Sequence, residues 1–107
     1  MRWALALIVA LLALPGRAEE RLRADWAEVK CARYTKAWHE ALRRYGRTGL
    51  SEEFLSRHDA FLASACTGEA NVCPRSPEEL ALANVMVIHA MNAGTASTFP
   101  PFACRGD

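Results

Sequence analysis

Four cysteines constrain the fold of this chain more than any other feature of its 107 residues. They are Cys31, Cys66, Cys73 and Cys104, with 34, 6 and 30 residues between neighbours. An even number of cysteines in a short chain indicates two disulfides if the protein lies in an oxidising compartment. A zinc site is the alternative, but the short Cys-x2-Cys and His-x3-His pairs typical of zinc sites are absent. We therefore expect two disulfides if the protein is exported.

Residues 1–18 have the pattern of a secretory signal peptide. Arg2 supplies a positive charge, Trp3–Leu14 form an unbroken apolar run, and Pro15-Gly16 is expected to break any helix before a cut after Ala18. The apolar run is too short for a transmembrane anchor, which needs about 20 residues. We predict a periplasmic or secreted protein with no transmembrane segment after cleavage, in which residues 19–107 form a single small domain.

Helical spacing of the apolar residues predicts an all-α domain with three helices. In the first helix these residues recur at steps of three and four, and Leu22, Trp26 and Val29 broaden the stripe near its start. Near the C-terminus, Pro100-Pro101 forbids a helix and imposes an extended strap. The predicted elements are helices at about 20–45, 52–66 and 77–92, followed by a strap at 95–107.

The second and third helices begin with clear capping signals. Ser51 is a suitable N-cap for the second helix. Ser76 and Glu79 form a capping box for the third, with Pro77 at the first helical position. The third helix is apolar almost all the way round. Such a helix is buried on most sides or presents a face to a partner, and the sequence leaves both interpretations open.

Helix geometry narrows the three possible cysteine pairings. Cys31 lies 15 residues before Gly46, which caps the first helix, and Cys66 lies 15 residues after Ser51, the N-cap of the second. An antiparallel hairpin therefore places both at about 22 Å from the turn. Ten residues of extended strap span roughly 30 Å and return Cys104 to the level of Cys73. This favours Cys31–Cys66 with Cys73–Cys104, although Cys31–Cys104 with Cys66–Cys73 is nearly as reachable.

The sequence shows no residue pattern typical of a catalytic site. Histidines can transfer protons or bind metals, and His58 and His89 lie among apolar residues of the second and third helices. His39 precedes Glu40 on the first helix. A helical histidine in such surroundings is more often a satisfied core side chain, so His58 and His89 are candidate functional histidines only. We expect a protein without enzymatic activity, metal or cofactor.

Positive charge is concentrated on the first helix. From Lys30 to Arg47 there are six basic residues and one acidic residue, whereas residues 48–107 contain three basic and seven acidic residues. Such a helix face is solvated, or it attracts an acidic protein or an anionic envelope surface. Nucleic acid fits poorly, because the protein is expected outside the cytoplasm. The candidate partner-binding residues are Arg33, Lys36, Arg43, Arg44, Phe99 and Phe102.

Three stretches of the chain resemble a known family. They are Cys31-x2-Tyr34, the run Cys73-Pro74-x-Ser76-x2-Glu79 that opens the apolar helix, and the terminal Phe-Ala-Cys104. Together they resemble the small exported helical immunity proteins of the Rap/Tai type, which neutralise toxins of type VI secretion in the bacterial periplasm. The resemblance implies inhibition by binding, without catalysis.

The sequence leads to one main functional hypothesis and two alternatives. We expect an exported protein that binds another envelope molecule as an inhibitor or immunity factor, through an apolar ridge of the third helix or the Phe99–Phe102 strap. The basic segment of the first helix would steer the association. One alternative is a stress-protective periplasmic chaperone that exposes apolar surface on acidification. The other is a small metal or ligand carrier that uses His58 and His89.

Overall fold

The computed structural model describes residues 2–92 and 100–105, with side chains for residues 17–92 and 100–105. Within these ranges it contains three helices and no β-strand: α1 (Arg2–Tyr45), α2 (Glu52–Ala63) and α3 (Pro77–Asn92). The predicted all-α class is confirmed, and α3 has the predicted bounds. Phe99 and most of the predicted strap lie outside the described residues.

The first helix is much longer than the sequence predicts. It begins at Arg2, so Pro15 and Gly16 lie inside α1, and the predicted start near residue 20 is wrong. Proline removes one backbone hydrogen bond and can bend a helix, but alanine and leucine on both sides favour the helical conformation. The cleavage after Ala18 stays a prediction.

The second helix ends at Ala63, three residues earlier than predicted. Ala65 and Cys66 have φ angles of 57° and 60°, the left-handed conformation that commonly ends a helix. The amide of Cys66 donates to the carbonyl of Phe61 at 3.1 Å and so satisfies one of the last carbonyls of α2. This early turn takes Cys66 out of the helix and allows it to reach α1.

Both favoured disulfides are present, and the alternative pairing is excluded. Cys31–Cys66 joins α1 to the turn after α2, with the two Cα atoms 5.7 Å apart. Cys73–Cys104 joins the segment before α3 to the strap, with the two Cα atoms 4.6 Å apart. The first bond therefore ties α1 to the end of α2, and the second ties the segment that leads into α3 to the strap that follows α3.

The described part of the strap pairs with the segment between α2 and α3. The amide of Val72 donates to the carbonyl of Pro101 at 3.0 Å, and the amide of Ala103 donates to the carbonyl of Val72 at 3.1 Å. Phe102 is half-buried, and its ring centroid lies 6.2 Å from that of Phe54. Phe102 thus holds the strap against the helical body.

The centre of the core is aromatic. The ring centroids of Trp38 on α1 and Phe54 on α2 are 6.2 Å apart, and those of Tyr34 and Phe61 are 6.1 Å apart. These separations are typical of favourable aromatic pairs. The buried core residues are Tyr34, Trp38, Ala41, Leu42, Phe54, Phe61, Val72, Leu82 and Met86.

The third helix buries one face and exposes another, so each interpretation of its sequence is partly correct. Its buried residues are Glu79, Leu82, Ala83, Met86 and Ala90. By contrast, Leu80, Ile88 and Met91 are 49%, 57% and 61% exposed. The helix therefore packs against α1 along one stripe and presents an apolar ridge to solvent along another.

Glu79 joins the starts of α2 and α3. Its carboxylate accepts hydrogen bonds from the backbone amides of Ser51 at 2.8 Å, Arg75 at 2.9 Å and Ser76 at 3.1 Å. The hydroxyl of Ser76 accepts from the amide of Glu79 at 3.0 Å, which confirms the predicted capping box. Burial acts to raise the pKa of Glu79, but the backbone donors outweigh it and lower the pKa to about 2.

We expect Glu79→Gln to lower the free energy of unfolding by about 2–3 kcal/mol at pH 7. Hydrogen bonds to a charged acceptor contribute about 1.5–3 kcal/mol, and the amide of glutamine would also turn donor hydrogens toward backbone donors. Glu78→Gln is the matched control, because Glu78 lies in the same helical turn but is exposed. Its expected loss is below about 0.5 kcal/mol. Urea denaturation measures both values, and equal losses would contradict the bridging role of Glu79.

Candidate functional site

The principal candidate site is the side of α1 that points away from the core. An α-helix turns by about 100° per residue. Measured from the mean direction of Tyr34 and Trp38, which face the core, seven apolar and basic residues of α1 lie about 100–180° away, and the acidic Asp25, Glu28 and Glu40 lie within the same range. We call the seven apolar and basic residues the outward face of α1. Its members are Leu22, Trp26, Val29, Arg33, Lys36, Arg43 and Arg44.

The first half of the outward face is apolar and open to solvent. Leu22, Trp26 and Val29 are 68%, 44% and 39% exposed, and every side chain from residue 17 to residue 29 is exposed. The prediction that these three residues broaden the core stripe is therefore wrong. Their angular distance from Tyr34 and Trp38 is visible in the sequence and could have revealed a separate face. In addition, α1 continues beyond the Cys31–Cys66 bond, which marks the level where α2 ends.

The second half of the outward face is basic. Arg33, Lys36, Arg43 and Arg44, all candidates from the sequence, are exposed here. The guanidinium carbon of Arg33 lies 5.3 Å from the centre of the Trp26 ring, within the range of a cation–π interaction. This contact joins the apolar half to the basic half, so the two form one continuous surface.

Two clefts flank the basic half. Lys36 and Arg43 line an open cleft of about 610 Å³ between α1 and Ala65, and His39 lies on its wall. Arg44 and His89 line a second cleft of about 210 Å³ between α1 and α3. Charged side chains of both signs line these clefts. Such a lining suits contact with the polar rim of a protein partner better than it suits the burial of a small molecule.

His58 forms a second candidate site, inside the core. The side chain is fully buried, and its ring stacks on Trp38 with the centroids 3.6 Å apart. The Phe102 ring lies 5.8 Å away, and Nε2 of His58 is 2.6 Å from the hydroxyl oxygen of Tyr34. Nδ1 of His58 has no hydrogen-bond partner among the described residues. A buried polar atom without a hydrogen-bond partner lowers the stability of the fold, so such an atom is often part of a functional feature.

The surroundings of His58 disfavour its charged form. Burial, followed by repulsion from His39, lowers the pKa of His58 to about 3. Burial also raises the pKa of Tyr34 far above its ordinary value. Both groups are neutral near pH 7, where a proton-transfer catalyst would need a pKa close to the ambient pH. The hydrogen-bonded pair of Tyr34 and His58 is therefore suited to a structural role, and that role changes when acid protonates His58.

The remaining sequence candidates are not brought together. His89 is exposed on α3, whereas His58 is buried between α1 and α2. Phe102 packs against Phe54 and His58, and only Phe99 lies outside the described residues. Among the residues that the structure describes, no three His, Cys, Asp or Glu side chains are grouped to hold a metal ion. A carrier that uses both histidines at one site is therefore not supported.

Neither a membrane-spanning helix nor a match to a known protein indicates a function. Over the described ranges, no helix combines the length and apolar character needed to span a membrane. Comparisons with protein-family models, curated proteins and solved structures found no match. Function is therefore inferred from the geometry of the two candidate sites.

Proposed function

We propose that this protein is an exported, non-enzymatic binding protein that holds an acidic protein partner on the outward face of α1, as an inhibitor or immunity factor. The observation that carries the proposal is the exposed line of Leu22, Trp26 and Val29, which continues directly into exposed basic residues. Scattered apolar residues are normal on a protein surface, but a continuous apolar patch with a polar border is typical of an interaction site.

The chemistry of the outward face suits a protein partner. Tryptophan and arginine are the residues that most often dominate the energy of protein–protein interfaces. Trp26 offers a large ring, and Arg33 is already positioned against it. The basic residues that follow would accelerate association with an acidic partner, and that acceleration would fall as salt increases.

The disulfides support the proposed compartment. Two disulfides in a small domain are typical of an oxidising, extracellular-type environment. If the predicted leader directs export, this environment is the periplasm or the outside of the cell. The resemblance to exported immunity proteins supports the same class of function, because those proteins act by binding.

Photocrosslinking in the periplasm tests the proposed function. We expect a photoreactive residue at position 29 to capture a protein, and Trp26→Ala to reduce the yield at least about fivefold, since a central interface tryptophan is worth about 2 kcal/mol or more. A photoreactive residue in place of the exposed Asp59 on α2 is the positional control. Met91→Ala removes an apolar side chain on α3 that is more exposed than Trp26, and it is expected to leave the yield unchanged. Equal capture at positions 29 and 59 would contradict the proposal.

His58 favours a second candidate function, a stress-protective chaperone that opens in acid. Protonation would place a charge between the rings of Trp38 and Phe102 in the aromatic core. Separation of α1 from α2 would then expose the aromatic core, while the disulfides keep the helices joined. The pH dependence of folding, compared between the wild type and His58→Gln, tests this candidate.

A further inference from the structure

Resting on the function proposed above, we infer that the partner contributes an amphipathic α-helix with acidic side chains, which lies lengthwise along the outward face of α1. The apolar side of that helix would cover Trp26 and its neighbours. Its acidic side chains would face Arg33, Lys36 and Arg43.

The spacing of the outward face suits a rod-shaped partner. The steps from Leu22 through Trp26, Val29 and Arg33 to Lys36 are four, three, four and three residues. Steps that average 3.5 residues keep side chains in an almost straight line, and this is the spacing by which two helices pack side by side. From residue 22 to residue 43 the line is about 32 Å long, at about 1.5 Å per residue. A compact patch on a partner would cover only part of it.

The line is accessible along its length. The folded body lies on the opposite side of α1, where Tyr34 and Trp38 are buried. At the apolar end, all side chains from residue 17 to residue 29 are exposed. At the basic end, the open cleft beside Lys36 and Arg43 leaves room for the side chains of a second helix.

Charge along the face indicates the composition of the partner helix. The basic half carries four cationic residues, and the acidic Glu40 lies on the same line, four residues after Lys36 and three before Arg43. A helix with apolar residues at one end and glutamate or aspartate at the other would match both halves. Mismatched charge at such a surface discriminates strongly against wrong partners.

A second copy of this chain fits the face less well. Parallel pairing would set Arg33 and Lys36 against the same residues of the other copy. Antiparallel pairing centred on Trp26 would place Arg33 opposite position 19, which is glutamate, but would leave Lys36 and Arg43 without acidic counterparts. A lipid surface fits less well too, because three apolar residues offer little area for insertion between headgroups.

A designed peptide provides the test. The probe is a labelled 21-residue helical peptide in which alternating steps of three and four carry leucines in one half and glutamates in the other half. One control peptide has the same composition in scrambled order, and another has lysine in place of glutamate. We expect the oxidised protein to bind the acidic peptide at least about tenfold more tightly than either control, as measured by fluorescence anisotropy.

Variants of the protein assign the binding to the outward face. Trp26→Ala is expected to weaken peptide binding at least about tenfold, whereas Ile88→Ala, an exposed apolar change on α3, leaves it within about twofold. Arg33→Glu combined with Lys36→Glu is expected to transfer the preference to the lysine peptide. Equal binding of the scrambled peptide, or equal losses from Trp26→Ala and Ile88→Ala, would overturn the inference.

Two further outcomes separate the inference from the proposed function. If Trp26 is required for protein crosslinking but the acidic peptide does not bind, the partner is a protein that uses another kind of surface, and only the helical inference fails. If sedimentation shows self-association that Trp26→Ala abolishes, the occupant is a second copy of this chain. If phosphatidylglycerol vesicles bind in a Trp26-dependent manner while the peptide does not, the occupant is a lipid surface.

Discussion

Reduction of both disulfides is expected to unfold this protein at 37 °C. The bonds close loops with sequence separations of 35 and 31 residues. In the chain-entropy treatment, each such bond destabilises the unfolded chain by about 4 kcal/mol. Their combined contribution of roughly 7–8 kcal/mol is comparable to the whole stability of a typical domain, which is about 5–15 kcal/mol. We expect circular dichroism to show loss of the cooperative thermal transition, or a midpoint lowered by more than about 20 °C, in dithiothreitol.

Removal of the bonds one at a time distinguishes their roles. Because the two loops have similar lengths, Cys31→Ala with Cys66→Ala should cost about as much stability as Cys73→Ala with Cys104→Ala. Each paired change avoids leaving a free thiol. A melting midpoint within about 3 °C of the oxidised protein after complete reduction would contradict the stabilising role.

Acidification is expected to destabilise the fold through His58. An unfolded histidine binds a proton below its ordinary pKa of 6.5, whereas the folded chain does not protonate His58 until about pH 3. The contribution of neutral His58 is therefore fully present above pH 6.5, declines as the pH falls, and is lost near pH 3. The decline is about 1.4 kcal/mol per pH unit. It amounts to roughly 3 kcal/mol at pH 4.

His58→Gln isolates this effect, because glutamine offers Tyr34 a hydrogen-bond partner but does not titrate. We expect urea denaturation at pH 7, 5.5 and 4 to show a steep loss of stability for the wild type and a much shallower one for the variant. Glu79 acts in the same direction only below pH 4.5, because its carboxylate is held ionised down to about pH 2 in the folded state. The range between pH 6.5 and 4.5 therefore reports on His58.

A control and a second readout complete this experiment. His89→Gln changes an exposed histidine on α3 and is expected to retain the wild-type slope. If acid opens the core, binding of a hydrophobic dye should rise between pH 7 and pH 3 in the wild type and less in His58→Gln. No rise by pH 3 in the wild type would rule out the acid-opened chaperone.

The features predicted correctly from the sequence depend on local chemistry or simple geometry. The capping box of Ser76 and Glu79 spans four residues, so its signal is complete within the sequence. Helix rise and strap length favoured the observed disulfide pairing, because they set how far each cysteine lies from its turn, but they left the alternative pairing nearly as reachable. The bounds of α3 follow from its capping signal and its composition.

The features that the sequence did not predict depend on contacts between distant segments. The bond from Ser51 to Glu79 crosses 28 positions, and the bond from Tyr34 to His58 crosses 24. Neither residue pair carries a spacing signal. The early end of α2 accompanies the turn of Cys66 toward Cys31, a contact between segments 35 residues apart. The face of Trp26 has the same steps of three and four residues as the core stripe, so spacing alone does not separate the two, whereas the rotation of about 100° per residue does.

The Cys31–Cys66 bond also separates two parts of α1 that differ in local stability. Residues 34–45 are held in place by tertiary packing. Once the predicted leader is removed, residues 19–29 form the N-terminal end of α1, and because all their side chains are exposed this end frays more readily than the packed part of the helix. A partner that docks on Trp26 would therefore hold this segment helical as it binds, with part of the contact energy offset by lost chain entropy. Affinity at this surface is then adjustable through residues that never touch the partner, simply by changing how readily the segment stays helical.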